Sequence, residues 1–134
     1  MKKVLVIDDD LADRTWLRQL LEAAGLQVDE APEGRTGLEL YRRRAHDLVI
    51  TDIVMPDTEG IETILKLRQE FPTVKIIAVS VGGYLGEPDN YLRMATILGA
   101  NEALAKPLSA TTLLRAAVKL LDHAPCAPSN TVAG

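Results

Sequence analysis

Cysteine is almost absent from this chain of 134 residues: Cys126 stands alone and cannot close an internal disulfide, which suits a reducing compartment. Aromatic side chains make up 4% of the sequence, so the core must be built from aliphatic residues. Long hydrophobic runs are missing too. The longest, Val4 to Ile7 and Ile76 to Val79, are strand-sized and fall far short of the ~20 apolar residues that a membrane-spanning helix takes. After Met1, Lys2 and Lys3 the apolar run Val4 to Ile7 is four residues long before three aspartates interrupt it, too short for the core of a secretory leader. Nor is there an excess of positive charge. Fifteen basic against nineteen acidic side chains leave −4, which gives no general attraction for nucleic acid or anionic lipid. These absences lead us to expect a soluble, cytoplasmic chain without direct nucleic-acid or membrane partners. What is present, 47% hydrophobic and 25% charged residues, is the composition of an aliphatic globular protein; it excludes disordered, collagen-like and disulfide-framework chains. The length suits one domain able to bury roughly two-thirds of its unfolded surface.

Strand-like runs recur at Lys3 to Ile7, Gln27 to Ala31, Asp47 to Thr51, Val74 to Val79 and Glu102 to Ala105, with helix-like stretches between them. Val4 to Ile7 and Ile76 to Val79 are apolar without alternation, as central strands covered on both faces require. The first helix reads from Leu11 to Ala24 with Gly25 as its stop; Leu17, Leu20, Leu21 and Ala24 share a face that Trp16 borders. The second runs from Gly34 to Arg44, and Arg42, Arg43 and Arg44 form a solvated last turn that complements the helix dipole. The third follows Met55, Pro56, Asp57 and Thr58 and closes near Phe71 and Pro72; the fourth lies between Pro88 and Leu98, with Gly99 as its stop; the fifth runs from a Ser109 cap to Leu121. His46 and His123 read as ordinary surface residues. Alternation of this kind predicts an α/β fold, a doubly wound open sheet of five parallel strands with five helices, because parallel strands need helical crossovers. Residues 1–122 are expected to form the domain, and 123–134, rich in Pro, Ala and Ser, a disordered tail or the start of a linker.

Ligands of such sheets bind beyond the carboxyl ends of the strands. There the sequence places Asp8, Asp9 and Asp10 after the first strand, Asp52 after the third, Ser80 after the fourth and Lys106 after the fifth. Each alone has a plain explanation as a cap, a turn former or an exposed lysine. Together they do not. Two carboxylates ~5 Å apart repel by ~3 kcal/mol at an effective dielectric of 20, and here three are gathered. Protonation or a cation must neutralise them, and hard carboxylate oxygens with room for water suit magnesium, Mg2+. An acidic cup with a divalent ion, a lysine and a hydroxyl suits a transferring phosphoryl group, with Asp52 as nucleophile and Asp8 and Asp9 holding the metal.

These residues resemble the receiver domains of bacterial two-component response regulators, of the chemotaxis-regulator-like kind. The match runs from Lys3 to Leu121. It rests on Val4 to Asp10, on Asp47 to Asp57, on Gly60, on Ala78-Val79-Ser80, on Gly99-Ala100 and on Ala105 to Leu108. The resemblance implies a flavodoxin-like sheet of strand order 2-1-3-4-5. It also implies that Asp52 accepts a phosphoryl group from a phosphohistidine on a sensor histidine kinase or phosphotransfer protein. Magnesium would be held by Asp9, Asp52 and the Val54 backbone carbonyl, with Asp8 acting largely through bound water. Lys106 and the Ser80 hydroxyl would contact the phosphoryl oxygens, drawing in the loop after the fourth strand. The altered surface of the fourth helix, fifth strand and fifth helix would then engage a downstream protein. Such a domain catalyses only its own phosphorylation and dephosphorylation; a homodimer is left open, as is a place at the front of a longer regulator.

Three departures accompany the resemblance. The position three before Lys106, usually Tyr or Phe, is Ala103, so the aromatic half of the usual switch is missing and the signal is expected to travel through the loop, where Gly82, Gly83 and Gly86 lie. Ser80 and Gly99 are nineteen positions apart, a few more than receivers commonly use, and Tyr84 and Leu85 lie in that segment. Val54 and Gly82 offer no polar side chain to orient water, which predicts slow self-hydrolysis. Two other classes compete. One is a receiver-shaped interaction module that is never phosphorylated. The other is a haloacid-dehalogenase-like phosphatase with Asp8 as nucleophile and Asp10 as its partner, disfavoured by Ala12 and by the short chain.

Overall fold

The apolar run at the N-terminus forms β1 (Lys3–Ile7), whose residues from Val4 onward are all buried. In the computed structural model, which describes residues 2–53, 59–81, 93 and 95–122, four further strands lie parallel to it: β2 (Gln27–Ala31), β3 (Leu48–Asp52), β4 (Ile76–Val81) and β5 (Glu102–Lys106). The sheet order is β2-β1-β3-β4-β5, as the resemblance implied, so the winding reverses on either side of β1. Between the strands run α1 (Leu11–Ala23), α2 (Gly34–Arg44), α3 (Glu59–Glu70), a fourth helix, α4, described at 93 and 95–98, and α5 (Ala110–Leu121).

Side-chain alternation in β1 sorts the core into two layers. Val4 and Val6 point to the face where α1 and α5 contribute Leu17, Leu21, Leu113 and Ala117. Leu5 and Ile7 point to the other, with Leu38 and Tyr41 of α2, Ile64 and Leu67 of α3 and Ala95 of α4. Removing both faces from water is what makes an unbroken aliphatic strand favourable, at about 1.5–3 kcal/mol for each fully buried side chain. Trp16 lies at the rim of its layer, 39% exposed.

Helix ends follow local chemistry. Asp10 caps α1, its carboxylate accepting from the Asp13 amide at 3.1 Å, and Gly25, at φ +89°, turns the chain out of the helix. Ser109 caps α5 by accepting from the Thr112 amide at 3.1 Å. The α2 helix ends on Ala45, at φ +48°, whose amide bonds the Tyr41 carbonyl at 2.7 Å.

Several boundaries differ from the sequence reading. The β3 strand begins at Leu48 because Asp47 turns its carboxylate to the Lys3 amide, at 2.8 Å. The β4 strand begins at Ile76, since the Val74 amide is occupied by the Phe71 carbonyl at 3.0 Å. At the other end β3, β4 and β5 run on through Asp52, Val81 and Lys106, so Asp52, Ser80 and Lys106 belong to the ladders rather than following them. His46 is a correction: it is 3% exposed, not a surface residue. Its Nε2 lies 2.7 Å from Asp29 Oδ2, and its ring centroid is 6.0 Å from that of Tyr41. The expected Arg42 to Arg44 turn is solvated, with Arg42 reaching Glu70 and Arg44 reaching Asp29. Met55 to Thr58, Gly82 to Pro88, His123, Cys126 and the tail 123–134 lie outside the described residues.

Candidate functional site

Parallel pairing brings the strand tips to one edge. The β1 strand holds Asp8 just beyond Ile7, where its amide continues the ladder to the Ala31 carbonyl at 3.1 Å. The carboxylate of Asp8 folds back on the turn and accepts from the Asp10 amide through Oδ1, at 2.9 Å. Its carbonyl accepts from Arg14 Nη1 at 2.8 Å, and Glu30 fixes that guanidinium at 3.0 Å. Asp52 ends β3 opposite Val79, and the Ile53 amide bonds the Val79 carbonyl at 2.9 Å. Close behind, Gly60 of α3 presses on the strand end: a Cβ there would lie 2.5 Å from the Asp52 carbonyl oxygen, so this approach requires glycine.

Asp8 and Asp52 are buried at 1% and 4% exposure while Asp9 faces solvent, and one carboxylate oxygen from each falls within 4.8 Å of the others. Into this cup from β5 comes Lys106, whose Nζ lies 3.1 Å from Asp8 Oδ2 and 3.2 Å from Asp52 Oδ2. A third contact, 2.8 Å to Asp13 Oδ2, comes from the first turn of α1. Burial pushes the Asp8 carboxyl above its ordinary range, against the Asp10 amide and the Lys106 charge, which pull it down. For Lys106 burial also works against charge, but the bond to Asp13 and the fields of Asp52 and Asp8 outweigh it and hold the ammonium above the usual lysine range. Ser80 sits on β4 opposite Ala105, fully buried, its hydroxyl without a hydrogen-bond partner among the described residues.

The structure thus gathers four of the expected residues, Asp8, Asp9, Asp52 and Lys106, at hydrogen-bond or ligand distance, and register places Ser80 at the same end of the sheet. Ala103 lies further back, opposite Ala78 and packed on the α2 and α3 side. Val54, Gly82 and Gly83 lie outside the described residues. Asp10 faces solvent and spends its carboxylate on the α1 cap. It therefore does not pair with Asp8 in the way the phosphatase alternative requires. Two contributors escaped the sequence reading, Asp13 and Arg14. Their signal was positional: both stand in the first turn of a helix that starts at the acidic tip of β1.

The donor set fits a hard divalent cation. Two buried carboxylates and one exposed carboxylate share less than 5 Å, Lys106 balances only part of their charge, and oxygen ligands with one side open to water suit magnesium.

Comparison with known proteins identifies the class. The family model for the response regulator receiver domain matches residues 4–118, and the chain belongs to that family. The chemotaxis protein CheY of Thermotoga maritima is 31% identical over 120 residues, covering 89% of this chain and 97% of its own. The transcriptional regulatory protein CpxR of Escherichia coli is 36% identical over 109 residues, of which 81% of this chain and 44% of CpxR are covered. The chain therefore spans nearly all of some curated relatives and less than half of others. A receiver domain protein from Clostridium thermocellum superimposes with a TM-score of 0.82 at 30% identity, covering 91% of this chain and 95% of that one. Receiver domains are the signalling domains of two-component response regulators, in which a phosphoacceptor role is typical, acidic residues bind magnesium, and histidine kinases and effector domains are the partners. Among the described residues no helix is long and apolar enough to cross a membrane.

Proposed function

We propose that Asp52 is the phosphoacceptor of this receiver, with Lys106 and Ser80 as the groups that meet the phosphoryl oxygens. The observation that carries this assignment is the ammonium of Lys106 held between two buried carboxylates, Asp8 and Asp52, at 3.1 and 3.2 Å. Asp52 ends a buried strand beside a fixed cation, and its carboxylate oxygen is the nucleophile. In the transfer an Asp52 Oδ forms a bond to phosphorus as the phosphorus–nitrogen bond of a donor phosphohistidine breaks. The imidazole nitrogen keeps that electron pair and takes a proton from solvent. Lys106 already lies where the new anionic oxygens develop, so the cation need only exchange one of its present carboxylate partners for a phosphoryl oxygen. Asp8, Asp9 and Asp52, with the Val54 carbonyl, would hold magnesium, which when bound supplies charge neutralisation and phosphoryl polarisation. The buried Ser80 hydroxyl, without a hydrogen-bond partner among the described residues, is a donor in wait for a phosphoryl oxygen, and its movement would pull on Gly82 and Gly83. Without an aromatic side chain at Ala103, that pull is transmitted through the loop to the surface of α4, β5 and α5, where a downstream protein docks.

The donor is a sensor histidine kinase or a phosphotransfer protein, the setting is the cytoplasm, and the only chemistry is the domain's own phosphorylation and dephosphorylation. Residues 1–122 form the receiver unit, with 123–134 as a tail or linker. Incubation with acetyl phosphate and magnesium tests the assignment: the intact mass is expected to rise by one phosphoryl group in the wild type and to stay unchanged in Asp52→Asn or when the metal is chelated. Equal uptake by Asp52→Asn refutes it.

A further inference from the structure

Asp13 makes the shortest of the three carboxylate contacts to Lys106, 2.8 Å against 3.1 Å to Asp8 and 3.2 Å to Asp52. An ammonium has three N–H donors, and these three carboxylates take them all. Any phosphoryl oxygen that is to bind Lys106 must therefore displace one of them. The candidates differ in what release would cost. The side chain of Asp8 is 2% exposed, so a carboxylate freed there stays buried without its counter-charge, while Asp52, 4% exposed, becomes an acyl phosphate whose uncharged carbonyl oxygen can still accept from Lys106. The Asp13 side chain is 46% exposed and would be rehydrated at once. Its backbone amide, meanwhile, remains bonded to the Asp10 cap at 3.1 Å, so the side chain can swing away without unwinding α1.

We infer that Asp13 is a positioning residue that occupies Lys106 in the unphosphorylated protein and yields it when a phosphoryl group arrives on Asp52. The inference rests on the assignment of Asp52 and Lys106 made above and adds the regulation of that site. Asp13 competes with the phosphoryl group for one donor, so it lowers the affinity of the cup for phosphoryl and loads the resting state. Its release changes the charge exposed on the first turn of α1, beside Leu11, which is 64% exposed.

The test titrates beryllofluoride and magnesium into the full chain and follows the backbone amides and the Lys106 15Nζ resonance by NMR. Asp13→Asn is expected to bind beryllofluoride about fivefold more tightly than the wild type, the scale of one exposed ion pair. Asp13→Ser, which removes the carboxylate with a different shape, is expected to do the same. The gain should shrink but not vanish at high salt, which screens a long-range field more fully than a 2.8 Å contact to an ammonium that is 11% exposed. In the free protein the Lys106 resonance should differ between wild type and Asp13→Asn; in the loaded protein the two should coincide, because the contact is then already broken. Unchanged or weaker binding, a gain abolished by salt or seen in one variant alone, or an equal resonance difference in both states overturns the inference. Wild-type protein that binds no beryllofluoride would instead refute the phosphoacceptor assignment, and this inference with it.

Discussion

At the scale of single residues, Asp8 is where fold and site oppose each other. The fold buries its carboxyl and so favours the neutral form, whereas the site uses the charged one. Because the folded chain then holds the Asp8 proton more tightly than the unfolded chain, ionisation of this group works against folding. That cost is absent below the ordinary value of 3.8 and grows as the pH rises through the elevated one. In metal-free buffer at neutral pH, Asp8→Asn is expected to raise stability by about 1 kcal/mol, the Coulomb repulsion relieved less the lost Lys106 contact. Magnesium should shrink the difference by stabilising the wild type. Urea midpoints with and without the ion check this, and a loss of stability in metal-free Asp8→Asn would contradict it. Residues of this kind are legible because repulsion demands a partner: three aspartates at strand tips call for a cation from the sequence alone. Asp13 was not legible, since an acid in the first turn of a helix has an ordinary explanation in the helix dipole. His46 misled for a related reason. Beside Arg44 and Asp47 it reads as polar surface, and its burial depends on Asp29 and Tyr41, the first of them seventeen positions away.

At the scale of elements, the helices were legible from caps and stops, and the strands from unbroken aliphatic runs. Strand ends were not. Ladder hydrogen bonds belong to the backbone, so pairing continues through Asp52, Ser80 and Lys106 where the apolar pattern has already stopped. Position along the strand is what delivers these polar tips, since a strand that ended earlier would leave its last side chain on a movable loop. The end of α2 shows an element closed against local preference. Ala45 adopts a left-handed conformation at φ +48° where glycine is the usual choice. Ala45→Gly is expected to add about 0.5 kcal/mol, the strain relieved less the entropy that glycine brings to the unfolded chain. A higher urea midpoint at unchanged slope is the expected result; a lower one would mean that Ala45 packs more favourably than its conformation suggests.

At the scale of the molecule, the sheet order places β1 and β3 side by side, covered on both faces, so that Asp8 and Asp52 project from the ends of two buried strands. Lys106 reaches them from β5, two strands away from β3, across the Ser80 end of β4. Charge is thus assembled from segments up to ninety-eight positions apart onto one edge of a buried parallel sheet. The most direct measurement is to load the protein from phosphoramidate and magnesium, reduce it with borohydride and map the product by tandem mass spectrometry, since borohydride converts an aspartyl phosphate to homoserine. Homoserine at position 52 alone is the expected result. Homoserine at position 8, 9 or 13 with position 52 untouched would contradict the assignment of the phosphoacceptor.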